Sequence, residues 1–382
     1  MDFGLSEEQA AFFEMARTFG LERLAPGAAV WDENKSLPLD VLKEAGSLGF
    51  AAIYAGEEHG GTGLTRLDAA LVFEGLSLGC PSIAAFLSIH NMCTWMIDAF
   101  GSEEHRARWI PKLAKMDAVA SYCLTEPGCG SDAAALRTTA ARDGDELVLN
   151  GAKAFISGAG LSDLYVVMCR TGAPGPSGIS AVLVEKGTPG LSFGANEKKM
   201  GWNAQPTAAV QFDDCRVPAS NLLGVEGDGF KYAMQGLNGG RLNIAACALG
   251  AAQTALDKAL NYSGERKAFG KTLDQFQALQ FKLADMEIAL QVARCFLRQA
   301  AWKLDQKTAD AAKFCAMAKC FVTDAAFDVA DEALQIHGGY GYLADYGLEK
   351  IVRDLRVHRI LEGTNEIMRM ITARAMVEER GR

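Results

Sequence analysis

The 382 residues carry 38 Lys and Arg against 47 Asp and Glu, a formal net charge of −9, and 49% of them are hydrophobic. That length exceeds what one core normally holds, so two or three domains are expected, and acids interspersed with bases exclude a basic nucleic-acid face or an anionic-membrane patch. Ten single cysteines without a C-x-x-C pair suit a reducing compartment, and five histidines without H-x-x-x-H spacing predict no metal site.

The chain opens on Ser6-Glu7-Glu8-Gln9, a capping-box pattern in an acidic setting that is expected to carry no targeting signal. Helical periodicity runs to Val30, resumes at Pro38, and continues as apolar stripes through Leu67 to Leu78 and Ile83 to Phe100. Gly60-Gly61-Thr62-Gly63 and Pro111 read as boundaries between members. Residues 1–120 are therefore an all-helical first domain.

Over 121–229 the period shortens to β-branched runs bounded by Gly, Pro and Asn. Strands are expected at Leu147 to Leu149, Ala154 to Ile156, Tyr165 to Cys169, Ile179 to Val184 and Val210 to Phe212. Asp143-Gly144, Asn150-Gly151 and Pro189-Gly190 are the expected turns. Over 230–382 long helices return, through Arg241 to Tyr262, Asp274 to Leu304, Thr308 to Ile336 and after Thr364, a pattern that packs as an antiparallel bundle. Asn238-Gly239-Gly240-Arg241 reads as the opening of the first of these. Apolar runs such as Ile244 to Ala252 stop well short of a membrane span. Strands in a block of their own predict an α+β fold rather than a dinucleotide-binding sheet.

Four segments carry candidate chemistry. Tyr122 to Asp132 is rich in Gly and Pro, and its amides with Thr125 and Ser131 suit a heteroaromatic ring or a pyrophosphate, although such a turn is more often a plain loop. His337-Gly338-Gly339 reads by default as a helix stop, although paired glycines also let a phosphate or another backbone come close. Arg266 to Thr272 has the wrong spacing for a phosphate loop, which leaves Arg266 as a lone clamp. Glu362 precedes a helix capped by Thr364; it is either a solvated acid favoured by the dipole or a general base on a loop.

Taken together, Tyr122 to Asp132, Phe155-Ile156-Ser157, Arg266 with Phe269-Gly270, Gln335 to Gly339 and Glu362 to Glu366 resemble the acyl-CoA dehydrogenase family over essentially the whole chain. The resemblance implies an N-terminal α-helical domain, a central β domain and a C-terminal four-helix bundle. FAD is then expected between the β domain and the helices, in contact with Tyr122, Cys123, Leu124, Thr125, Ser131, Phe155, Ile156, Ser157, Thr364, Asn365 and Glu366. Phe276 is a further cofactor residue, and Arg266, Gln277, Gln335, Ile336, His337, Gly338 and Gly339 complete the set, reaching the FAD of a neighbouring subunit in a homotetramer built as a dimer of dimers. Ser131, Asn238, Gly239, Gly240, Arg241 and Arg374 fall to the acyl-CoA substrate.

By the same resemblance Glu362 removes the α-proton of a short acyl thioester while the β-hydrogen leaves as hydride to flavin N5. The Glu362 backbone N–H and an FAD hydroxyl hold the thioester carbonyl, and electron-transfer flavoprotein accepts the electrons. Some branches carry the base at the position of Gly240, where glycine cannot serve; the glycine pair is also expected to make room for a branched acyl group. Ser88 to Cys93, Leu237 to Arg241, Gly201-Trp202-Asn203 and Phe155, where many relatives have Trp, resemble the branch that converts isobutyryl-CoA to methacrylyl-CoA in valine breakdown. A short straight-chain or 2-methylbutyryl-CoA preference is the alternative. A noncatalytic, DNA-associated relative is disfavoured by Glu362 and the acidic balance. The compartment implied is the cytoplasm for a bacterial chain and the mitochondrial matrix for a processed eukaryotic one.

Overall fold

The computed structural model describes residues 4–381. Helix α1 (Glu7–Phe19) starts at the expected capping box, Ser6 Oγ accepting from Gln9 N at 3.1 Å and Gln9 Oε1 from Ser6 N at 3.2 Å. The helical path widens to a π-turn at Gly20–Leu24 and passes through Ala25–Gly27 into α2 (Ala28–Asn34), four residues beyond the expected end at Val30. Then follow α3 (Leu39–Ser47), α4 (Arg66–Ser77), α5 (Pro81–Phe100) and α6 (Glu103–Ala114). By composition and length α5 could cross a membrane, but 72% of its apolar window is buried in the fold, so it is a core helix.

Pro111 is not a boundary: it lies inside α6. Proline cannot donate to the carbonyl four residues back and its ring crowds that carbonyl, and here the residue concerned, Ala107, is exposed to water. Buried Trp109, Ile110 and Leu113 anchor the turn on either side of it.

Eight strands form the central sheet: β1 (Ala120–Cys123), β2 (Thr139–Asp143), β3 (Glu146–Ser157), β4 (Leu164–Arg170), β5 (Ile179–Glu185), β6 (Leu191–Phe193), β7 (Thr207–Pro218) and β8 (Leu222–Leu223). Their order is β6-β7-β3-β2-β4-β5-β8, with β1 parallel to β4. Strand β4 is buried on both faces because alternate residues serve two cores. Leu164, Val166 and Met168 pack with α5, α6 and α7 (Gly229–Glu265), whereas Tyr165, Val167 and Cys169 pack within the β domain.

The Asn150-Gly151 turn is also corrected, since both residues lie inside β3. The pairing with β7 shifts register there, and Asn150 exchanges hydrogen bonds with Asp214 at 3.0 and 2.9 Å. A β-bulge has taken the residues that a hairpin turn would use.

Helix α7 is followed by a small hairpin, β9 (Lys267–Ala268) and β10 (Lys271–Thr272), then α8 (Gln277–Asp305), α9 (Ala311–His337), α10 (Leu348–Arg356) and α11 (Asn365–Arg380). The two helical regions share one core, in which Phe73, Ile83 and Phe86 meet Leu242, Leu249, Leu290 and Val322. Helix α10, which the periodicity did not reveal, joins all three regions. Its Asp354 takes the Trp202 N–H of the β domain at 2.6 Å and Lys350 at 2.6 Å, and its Arg353 reaches Asp32 at 2.9 Å.

Candidate active site

Glu362 stands on the turn between Val357–Arg359 and α11, outside any helix as expected. Thr364 caps α11, its hydroxyl accepting from Ile367 N at 3.3 Å. The turn needs two successive left-handed residues, Glu362 at φ 54° and Gly363 at φ 93°. Glycine adopts that region freely and glutamate does not, so surrounding contacts must hold Glu362 there. Arg241, 5% exposed, donates from Nε to Glu362 O at 3.3 Å, and Lys319 Nζ donates to Gly363 O at 2.9 Å.

The solvated reading of Glu362 fails at its tip. The residue as a whole is half-buried, yet Oε2 is shut off and has no hydrogen-bond partner among the described residues. Burial pushes the carboxyl up to about 7, against the downward pull of Arg241 and Lys319. An unpartnered carboxylate titrating near neutrality is a proton acceptor in waiting.

Asn238 to Arg241 does not open a helix; it lies in the interior of α7. The glycines answer to close approach rather than to helix ends. A β-carbon on Gly240 would stand 2.9 Å from Glu362 Cδ and nearer still to Oε2, and one on Gly239 would stand 2.8 Å from Arg66 Cζ. The space that a side chain at either position would need is taken by Glu362 and Arg66. A side chain at position 240 would therefore compete with Glu362 for the same space. Gly240→Ala, a change that normally favours a helix, is therefore expected to displace the carboxylate and lower turnover roughly 100-fold with the fold intact, read by steady-state kinetics beside circular dichroism.

Around Glu362, the Tyr122 hydroxyl is buried without a hydrogen-bond partner among the described residues, and burial raises it well above the ordinary phenol range. Arg241 Nη1 donates to Asn238 Oδ1 at 2.9 Å, which fixes Asn238. Arg66, missed by sequence reasoning, lies 3.6 Å from the centroid of the Tyr54 ring and 4.7 Å from that of Trp95, and its Nη1 has no hydrogen-bond partner among the described residues.

The expected cofactor residues fall into two groups. In the first, Ala154 N donates to Thr125 O at 2.8 Å and Ser121 Oγ to Ser157 O at 2.6 Å, which sets Tyr122 to Thr125 beside Phe155 to Ser157. Phe155 is 68% exposed at φ 59°, and Gly128 and Gly130 face open space. An uncovered aromatic ring beside bare backbone fits a flat heteroaromatic ligand. Ser131 is exposed near by, whereas Cys123 and Ile156 are buried and Leu124 O already accepts from Lys153 at 3.1 Å, so those three offer backbone at most.

In the second group, Arg266, Ile336, His337, Gly338 and Gly339 line a cavity of about 450 Å³ together with Tyr262 and Tyr340. Gln277 and Gln335 are exposed and Phe276 is half-buried. The chain does not bring the two groups together: Arg266 caps the far end of α7, roughly 39 Å along the helix from Gly240 at 1.5 Å per residue. Arg374 is exposed on α11 and Glu366 is exposed in its first turn. The Asn365 side chain is spent internally, on Lys319, Thr323 and Asp324. No cluster able to hold a metal occurs among the described residues.

Residues 6–117, 121–215 and 227–377 match, in order, the N-terminal, middle and C-terminal domains of acyl-CoA dehydrogenase. The chain is 55% identical to the mitochondrial isobutyryl-CoA dehydrogenase of Bos taurus over 98% of its own length and 90% of the relative's. It is 53% identical to the corresponding protein of Dictyostelium discoideum, covering 98% and 91%. The three-dimensional structure of butyryl-CoA dehydrogenase from Megasphaera elsdenii superposes with a TM-score of 0.95 at 38% identity, covering 99% and 100%.

Proposed function

Given that the chain belongs to the acyl-CoA dehydrogenase family and is an oxidoreductase, we propose that it desaturates a short branched acyl-CoA, isobutyryl-CoA to methacrylyl-CoA, with Glu362 as the base. The observation that carries this reading is the unpartnered Glu362 Oε2 against the Gly240 backbone, a proton acceptor with no other task in the fold.

FAD is the cofactor of this reading, and the uncovered ledge of Thr125, Phe155 and Ser157 fits its ring. When bound, it supplies the two-electron acceptor for the β-hydrogen. The chain's own residues do the rest. Glu362 Oε2 takes the α-proton. Its backbone N–H, which donates to no acceptor among the described residues, is free to steady the negative charge that develops on the thioester oxygen. Half-buried Tyr122, whose hydroxyl is shut off, and buried Arg241 stand beside the carboxyl. The separate cavity at Arg266 and Gly338-Gly339 suits a neighbouring subunit's FAD, which supports a second subunit; a homotetramer built from such dimers is the proposed assembly. Ser131, Asn238 and Arg374 remain with the CoA moiety, electron-transfer flavoprotein is the proposed acceptor, and a mitochondrial matrix setting follows the two mitochondrial relatives.

The test is anaerobic titration of the flavin-loaded protein with isobutyryl-, butyryl-, 2-methylbutyryl- and isovaleryl-CoA. Isobutyryl-CoA is expected to bleach the flavin fastest. Faster bleaching by butyryl- or 2-methylbutyryl-CoA would transfer the assignment to that substrate.

A further inference from the structure

We propose that Lys319, on α9, is a positioning residue for the base: its ammonium grips the Glu362-Gly363 turn and, with Arg241 on α7, sets the charge that the carboxyl feels. The proposal rests on the reading of Glu362 as the base.

Lys319 is fully buried, and among the described residues no carboxylate lies within ion-pair distance of it. A buried ammonium with no ion-pair partner is costly unless something other than stability retains it. Its partners are Gly363 O on the base's loop at 2.9 Å and, two residues on at the start of α11, Asn365 Oδ1 at 2.8 Å. Asn365 cannot turn away, because its amide nitrogen is held by Thr323 Oγ1 at 3.0 Å and Asp324 Oδ1 at 2.9 Å. Asp324 is itself clamped by Arg359 at 2.6 Å and Arg369 at 2.9 Å. A continuous chain of polar contacts thus runs from α9 to the carbonyl that follows Glu362. Arg241 holds the carbonyl of Glu362 itself, so two cations from two helices grip successive peptides of a left-handed turn that glutamate would not hold unaided.

The same two cations set the charge. The groups that interact electrostatically with Glu362 are Arg241 and Cys247 from α7, Tyr54 from the segment after α3, Tyr122 from β1 and Lys319 from α9. Burial raises Tyr54, Tyr122 and Cys247, which keeps them neutral across the working range. Around Lys319, burial holds His358 neutral by lowering it to about 4, raises Cys320, and leaves Asp324 committed to its two arginines. Arg241 and Lys319 are therefore the charges that restrain the rise of Glu362, and Lys319 is itself lowered by burial to about 8.

The experiment compares Lys319→Met and Lys319→Gln with the parent as flavin-loaded full chains. It follows flavin reduction against pH, KM, flavin content and the thermal midpoint against pH. With one cation removed, the acid limb of the reduction profile is expected to move up by about one pH unit in both variants. The plateau rate should fall about tenfold in the Met variant and about threefold in the Gln variant, whose amide still donates to the loop, while KM changes less than about twofold. The pH at which the thermal midpoint begins to reflect Glu362 ionisation should move up with the limb. An unmoved limb in a folded, flavin-loaded variant overturns the proposal; if the Met variant does not fold, the Gln variant decides. Glu362→Gln keeps the two readings apart. If it stays active, the base assignment is lost; if it is inactive while the lysine variants keep the parent's limb, only the role of Lys319 is lost.

Discussion

Replacing Glu362 by glutamine is expected to slow flavin reduction by acyl-CoA about 10⁴-fold while the flavin stays bound. The amide has the shape of the carboxyl, so it fits against Gly240 and leaves the turn and the Thr364 cap undisturbed. It cannot accept a proton. In the parent, reduction should rise with pH through about 7, the value to which burial lifts the carboxyl, and the residual rate of the variant should be flat there. The stability consequence has a definite sign. The folded value lies above the unfolded one, so the stabilising effect of the protonated form is complete at low pH and is lost as pH rises through about 7. Glu362→Gln escapes that loss. It should melt higher than the parent above pH 7 and level with it below about 4.5. Anaerobic stopped-flow reduction and melting curves across that range check both halves. Undiminished bleaching in the variant would end the assignment.

The parts of this site that were legible in the sequence are those fixed by neighbours in the chain. Thr364 caps because the apolar spacing after it is helical, and Glu362 falls outside the helix for the same reason. What stayed hidden depends on residues far away along the chain. Gly239-Gly240 has the local look of a helix boundary, yet its cause is the approach of Arg66 and Glu362 to a continuous α7. Asn150-Gly151 has the look of a hairpin, and only the partner strand with Asp214 turns it into a bulge. Pro111 survives in a helix because the carbonyl it orphans belongs to an exposed residue, a property of packing and not of proline. Lys319 did leave a trace, as the single charge in Cys315-Ala316-Met317-Ala318-Lys319-Cys320-Phe321-Val322, a stretch otherwise suited to a buried helix face. Lys153 left less, because a lysine between strand residues is ordinarily a solvated one.

Lys153→Met is expected to cost about 3–5 kcal/mol of stability in the β domain and to release the flavin early on heating. Lys153 is fully buried and Glu126 is 8% exposed, and their charged atoms meet at 2.8 Å. Glu126 also accepts from Arg137 N at 2.7 Å and Thr138 N at 2.9 Å, so one carboxylate joins the Gly-rich segment to the entry of β2. Burial alone would push Glu126 up, but Lys153 and the backbone donors hold it below the ordinary carboxylate range. Its contribution is therefore present above the unfolded value and lost as pH falls through the folded one. Methionine fills most of the space and removes the charge, leaving a buried carboxylate with two backbone donors. The loss should be largest near pH 8 and shrink towards pH 4, where the carboxyl protonates. Adding Glu126→Gln removes the stranded charge and should recover at least half of the loss, which separates charge imbalance from a packing defect. The flavin effect follows because Lys153 also holds Leu124 O, so Thr125 stands between two residues tied to one ammonium. A melting midpoint within about 2 °C of the parent at pH 8, on a scale where 1 kcal/mol moves a large domain by about 2–4 °C, would show that the pair does not hold this loop.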